Sequence, residues 1–161
     1  MKKLFIDKSQ INAGKIRLDK EQINHIKALR LEKIIACDGE FDFNCSVSEN
    51  ELHVIDKDIA RGELCYELTL YICFPKSDKI KKVVEIATQL GVVKIIPVIS
   101  EYVQLNTVTI NKKCEKLYKI AYEASGLAGR GKIPEIANPI KFNEIFNKAD
   151  EKIIIAYVLL K

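Results

Sequence analysis

With 161 residues, 48% of them hydrophobic and 30% charged, the chain can bury roughly 70% of its unfolded surface as one medium domain or two small ones. That composition excludes a disordered chain, and no stretch approaches the roughly eighteen apolar residues of a membrane span or the apolar run of a signal peptide; the expected compartment is the cytoplasm. The net charge of +4 is unevenly placed: residues 1–75 hold 11 Lys+Arg against 13 Asp+Glu, and residues 76–161 hold 15 against 9, which favours a polyanionic partner for the second part.

Lys3–Ile6 reads as a short strand, and the turn at Asn12–Gly14 leads into Lys15–Leu18, where Ile16 and Leu18 alternate with charges. Asp19 followed by Gln22 forms a capping box for a helix through Leu29 with Ile23 and Ile26 inward. Leu31–Cys37 is a strand, and Asp38-Gly39 is a two-residue hairpin turn. Beyond it Phe41, Phe43, Cys45 and Val47 alternate with Asp42, Asn44 and Ser46, one face toward a core and one toward water. Glu49-Asn50 turns the chain into a strand over Glu51–Ile55, and Asp58–Glu63 reads as a loop. Short antiparallel strands with one small helix imply a compact β-barrel-like domain over residues 1–65.

Residues 66–161 change pattern. Tyr66–Phe74 alternates Leu68, Leu70, Ile72 and Phe74 with polar partners, as a strand does. Pro75 ends it, and Ser77 caps a helix over Lys79–Leu90 whose Ile80, Val83, Val84, Ala87 and Leu90 recur at helical spacing. Gly91 is placed as a left-handed cap, and Val92–Ile99 is apolar on nearly every side chain, as a strand covered on both faces should be. A strand, helix and strand so close together predict a parallel βαβ crossover, and hence an α/β sheet.

Glu101–Thr109 is polar and irregular, so a loop is expected there. A helix over 112–128 should turn Cys114, Leu117, Ala121, Ala124 and Ala128 inward and end at Gly129-Arg130-Gly131. Ile133–Ile136 reads as extended and Phe142–Asn147 as two helical turns. The apolar run Ile153–Leu160 has the pattern of a central parallel strand; either it inserts into the crossover sheet, or the chain stops before the elements that would cover it, the reading favoured here. The five cysteines make no CxxC pair, read as buried free thiols and indicate no metal. The Gly126, Gly129 and Gly131 cluster closes a helix where a dinucleotide loop must open one.

Three stretches together resemble the RsmE family, methyltransferases of N3 of a uridine in small-subunit ribosomal RNA. They are His25-Ile26-Lys27-Ala28-Leu29-Arg30-Leu31; Pro75-Lys76-Ser77-Asp78-Lys79 with Ala87-Thr88-Gln89-Leu90-Gly91-Val92 and Ile96-Pro97; and Glu123-Ala124-Ser125 with Gly129-Arg130 and Ile133-Pro134. The resemblance implies an N-terminal PUA-like RNA-binding domain over residues 1–65. Residues 66–161 would be the first portion of a SPOUT-class domain, whose C-terminal knot binds S-adenosylmethionine and forms a homodimer. The family's Gly-Pro-Glu-Gly-Gly and Arg-Ile-Leu-Arg motifs are not in this sequence, so no donor-binding residue is carried over and the catalytic residue is unknown. Other departures are Lys81 at an acidic position, Ile86 at a Lys, Gln89 at a Glu, Tyr102 at an Arg and Leu127 at a Gln.

His25, Arg30, Lys76, Arg130 and Lys132 are the candidate RNA-binding residues. A guanidinium beside glycines suits bidentate phosphate contact, although Arg130 at a helix end equally complements the helix dipole, and lysine runs such as Lys76–Lys82 commonly form a solvated face. Two readings follow. One is a truncated or diverged rRNA methyltransferase that is inactive as this chain alone; the other is a non-catalytic RNA-binding or scaffold remnant of that family.

Overall fold

A computed structural model describes residues 3–73, 79–99 and 107–147. The first half is built from β1 (Lys3–Phe5), β2 (Ile11–Asn12), β3 (Lys15–Arg17), helix α1 (Lys20–Leu29), β4 (Lys33–Cys37), β5 (Phe41–Ser48) and β6 (Glu51–Ile59). These strands form one six-stranded sheet in the order β1-β4-β5-β6-β3-β2. β1 runs parallel to β4 and every other pairing is antiparallel. Leu4, Ile16, Ile34, Ala36, Phe43, Cys45 and Leu52 point into a common core, which Ile26 of α1 closes. Ile23 is only half-buried.

The expected capping box is present. Asp19 accepts from the Gln22 amide at 2.8 Å and Gln22 Oε1 accepts from the Asp19 amide at 3.0 Å, satisfying two amides that α1 would otherwise leave bare. The β2–β3 turn places Ala13 at φ +47° and Gly14 at φ +78°, the two positive values that match a two-residue hairpin to strand twist. The β4–β5 turn differs from expectation by one residue. Asp38 pairs with Phe41, and its carboxylate accepts from the Glu40 and Phe41 amides, so Gly39 and Glu40 are the central pair. β6 also runs four residues beyond the expected Ile55, because β5 continues opposite it until Phe41 meets Ile59.

The second half comprises β7 (Thr69–Cys73), α2 (Lys79–Gln89), β8 (Lys94–Ile99), α3 (Thr107–Ala128), β9 (Glu135–Ile136), β10 (Ile140–Lys141) and a 3₁₀ segment over Phe142–Asn147. β7 and β8 are parallel, with Thr69 opposite Lys94 and Cys73 opposite Val98, as the crossover requires. β9 and β10 both pair in parallel with the other edge of β8. They act as one strand interrupted at Ala137–Pro139, beside Ile96 and Pro97 of β8. A residue without an N–H is tolerated in a central strand where its neighbour breaks. Ile80, Val84, Ala87, Val92, Ile95, Leu117 and Ala121 form the second core, where α2 and α3 pack on the sheet.

Three expectations are corrected. Thr107–Thr109, read as loop, belong to α3: β-branched residue types lower helix propensity without forbidding a helix. Ala128 is exposed, and Ser125 and Gly126 are buried in its place, because the end of α3 turns toward the first half and no longer toward the parallel sheet. Cys37 and Cys45 are buried thiols, but Cys65 and Cys73 are exposed and Cys114 is half-buried. The run Ile153–Leu160 and residue Lys76 lie outside the described residues.

Candidate nucleic-acid interface and the seam behind it

His25 and Arg30 share the C-terminal part of α1. His25 is half-buried, and Arg30 is exposed at φ +50°, where its amide closes the helix on the Lys27 carbonyl. A non-glycine residue in the left-handed region pays a steric cost. Lys132 is also exposed, in the loop that follows α3.

Arg130, two residues away, is in a different environment. It is 1% exposed. Its Nε and Nη2 form a forked pair with the Glu63 carboxylate at 3.2 and 2.5 Å, while Nη1 donates to the Thr88 and Val92 carbonyls at 3.0 and 2.5 Å. Those carbonyls flank the turn at the end of α2, where helical C=O groups lack intrahelical donors. Glu63 Oε1 accepts in addition from the Gly131 and Lys132 amides, both at 3.0 Å. In this arrangement the guanidinium is spent on protein acceptors, and the outward-facing cation of the loop is Lys132.

Around that ion pair the two halves meet with little space. A Cβ on Gly62, at φ +102°, would lie 2.5 Å from the Gly129 carbonyl oxygen. One on Gly126 would lie 2.7 Å from the Lys3 carbonyl oxygen of β1. Lys3 is itself buried, bridging Asp42 at 2.7 Å and donating to the Arg61 carbonyl at 3.2 Å. The Phe5 and Tyr122 rings meet edge to face at 5.5 Å between centroids, and burial pushes the Tyr122 phenol above its usual pKa. The Cys37 thiol donates to the Gly131 carbonyl, and burial raises its pKa to about 11. The glycine cluster after α3 thus serves close backbone approach.

Glu63 had no signal in the sequence, and Thr88 lies in a stretch that carries the resemblance without any sign that its carbonyl meets Arg130. Glu63 sits in a segment read as loop, 67 residues from its partner. Glu123 is exposed and lines, with Lys81, Lys82, Glu85, Ile120, Ala124 and Leu127, a groove of about 450 Å³ between α2 and α3. Among the described residues no group of three or more His, Cys, Asp or Glu side chains could hold a metal ion, and no helix is long and apolar enough to cross a membrane.

A family model for the RNA methyltransferase domain matches residues 62–159. The chain belongs to that family. Within it this is an RsmE-family chain. It is 28% identical over 174 residues to "Ribosomal RNA small subunit methyltransferase E" of Bacillus subtilis, an alignment covering 98% of this chain and 68% of that protein. To the protein of the same name from Rickettsia conorii it is 31% identical over 121 residues, covering 74% of this chain and 48% of that one. The crystal structure of the Neisseria gonorrhoeae small-subunit methyltransferase E bound to S-adenosylmethionine matches it with a TM-score of 0.80 at 21% identity, covering 92% of this chain and 66% of that chain. The RsmE-family chain therefore spans between about half and two thirds of the length of these relatives. The fold that they share is a six-stranded sheet joined to a parallel α/β sheet.

Proposed function

We propose that this chain is the RNA-holding part of a methyltransferase acting on N3 of a uridine in small-subunit ribosomal RNA. Residues 1–65 form its PUA-like unit and residues 66–161 the start of its SPOUT-type unit. The observation that carries the reading is the match of residues 62–159 to the RNA methyltransferase family, on a fold whose second part holds the excess of positive charge. His25, Arg30 and Lys132 are the RNA-facing residues, with Lys76 as a further candidate, and Arg130 acts behind them by holding the loop that carries Lys132. Phosphate contacts by such cations position RNA without reading its sequence.

S-adenosylmethionine, the methyl donor of such an enzyme, does not fit the α2–α3 groove. All seven residues lining it are on α2 or α3, whose amides are engaged in helical hydrogen bonds, so the groove has no loop backbone to bracket an adenine. The chain is accordingly expected to hold RNA and to bind no donor by itself. Calorimetry of the purified chain with S-adenosylmethionine should show no heat of binding, and micromolar affinity would overturn this part of the reading. Filter binding of small-subunit ribosomal RNA should show affinity falling steeply with salt, and Lys132→Glu should lower it several-fold and reduce the salt slope by about one. RNA binding indifferent to both salt and Lys132→Glu would sink the RNA-facing surface.

The internal bonding of Arg130 favours a second reading, a scaffold that binds RNA without modifying it. Transfer of labelled methyl groups to small-subunit ribosomal RNA by the chain would exclude it.

A further inference from the structure

We infer that Glu63 is a positioning residue for RNA: it fixes the Lys132 loop, and with it the parallel-sheet half, relative to the α1 face that carries His25 and Arg30. This rests on the reading of the chain as RNA-holding and extends it to a residue that touches no RNA. Glu63 lies in the segment joining the two halves, between β6 and β7. Its carboxylate accepts from two guanidinium nitrogens and two successive backbone amides, all from Arg130–Lys132. Arg130 then carries the constraint to the end of α2 through the Thr88 and Val92 carbonyls. One side chain therefore ties together the joining segment, the loop after α3 and the turn before β8.

The glycines show that the contact is built for one geometry. At Gly62 and Gly126 any side chain would displace backbone of the opposing segment, not the tip of a flexible side chain. Charge supplies the second argument. A carboxylate in a surface that receives a polyanion weakens binding unless its charge is cancelled, and here the fork of Arg130 cancels it. The electrostatic cost of Glu63 beside Lys132 is offset by its positioning of the loop that carries Lys132.

Glu63→Gln separates the two effects because they have opposite signs. Removing one negative charge alone should tighten RNA binding. Loss of positioning should weaken binding of small-subunit ribosomal RNA about tenfold, lower the salt slope, and make Lys132→Glu nearly silent in that background. Glu63→Asp should recover most of the affinity. Residual dipolar couplings give a readout without RNA: the unsubstituted chain should fit one alignment tensor across both halves, and Glu63→Gln should need two. Affinity equal to or tighter than the unsubstituted chain, or a single tensor in Glu63→Gln, overturns the inference. If Glu63→Gln does not fold, Arg130→Lys, which keeps the charge but cannot form the fork, carries the same expectations. Absence of RNA binding by the unsubstituted chain would instead overturn the proposed function, and the couplings would still judge the hold of Glu63 on the Lys132 loop.

Discussion

Arg130 shows why a residue type in a suggestive place does not settle a role. The Gly-Arg-Gly segment satisfies every requirement for a phosphate contact except solvent access, because four acceptors from two segments, Glu63 and the turn at the end of α2, already surround the guanidinium. Removing it takes the counter-charge from Glu63, which keeps only the Gly131 and Lys132 amides, and a donor from the Thr88 and Val92 carbonyls, and a partly buried charge left without its partner costs more than the net worth of the pair. Arg130→Ala should lower the unfolding free energy by about 3 kcal/mol, measured by urea denaturation. Arg130→Lys should recover only part of that, since a point ammonium replaces the fork poorly.

The thiols give a second prediction from single residues. Burial holds Cys37 and Cys45 protonated up to about pH 11, whereas in the unfolded chain they ionise near the ordinary thiol value of about 8.5. The unfolded state therefore binds fewer protons between those limits, and stability should fall as pH rises through that window, with no contribution from these groups below it. At pH 8 an alkylating reagent should modify exposed Cys65 and Cys73 first and reach Cys37 and Cys45 only on unfolding, as mass spectrometry of the labelled peptides would show.

Among the elements, those specified by contacts close in sequence were the ones legible in advance. α1 carries its own start signal in Asp19 and Gln22, and Asp19→Ala should cost about 1 kcal/mol in thermal or urea unfolding while leaving the rest of the chain intact. The β7–α2–β8 crossover was readable because its periods of two and 3.6 change at the right places, with Gly91 at φ +96° between helix and strand. What could not be read depends on partners distant along the chain. The second half of β6 carries Asp56, Lys57 and Asp58, composition that reads as loop until β5 is placed beside it. β10 has two residues and exists only because β8 has a free edge there. The inward set of α3 was right as far as Ala124 and wrong at Ala128, since period alone cannot show that the last turns face a different layer. Glu63 is the same case for the candidate site: one carboxylate in a polar segment, given meaning by a guanidinium on the far side of a domain.

Helix α3 meets both layers, so its packing against β1 has to be as close as its packing against α2. Gly126→Ala would place a methyl 2.7 Å from the Lys3 carbonyl oxygen, a contact that backbone must yield to. Overpacking of this kind costs roughly 1–3 kcal/mol. Gly126 is helical, so alanine there meets the steric contact alone, whereas Gly129 has positive φ and no heavy atom near its missing Cβ, so Gly129→Ala meets the conformational cost alone. The loss on Gly126→Ala in urea unfolding should therefore measure the α3–β1 approach, and no loss would mean that the helix slides without resistance.

For the whole molecule, the two hydrophobic clusters pose the question of whether they unfold together. Each has its own buried set, Leu4 to Leu52 in the first and Ile80 to Ala121 in the second. Small separate cores with a loose junction would unfold as two units. The junction here is not loose: Arg130 with Glu63, Cys37 with Gly131, Phe5 with Tyr122 and the Gly62 and Gly126 approaches all cross it. A single cooperative transition is therefore expected, with amides of Ile34 and Leu52 in one half exchanging hydrogen at the same limiting free energy as that of Ile95 in the other. Arg130→Ala should break this coupling and leave two sets of exchange energies, because it removes the tie to Glu63 while leaving the apolar side chains of both clusters in place. Separate exchange energies in the unsubstituted chain would show that the seam contributes contact without cooperativity, and would also leave Glu63 nothing to transmit.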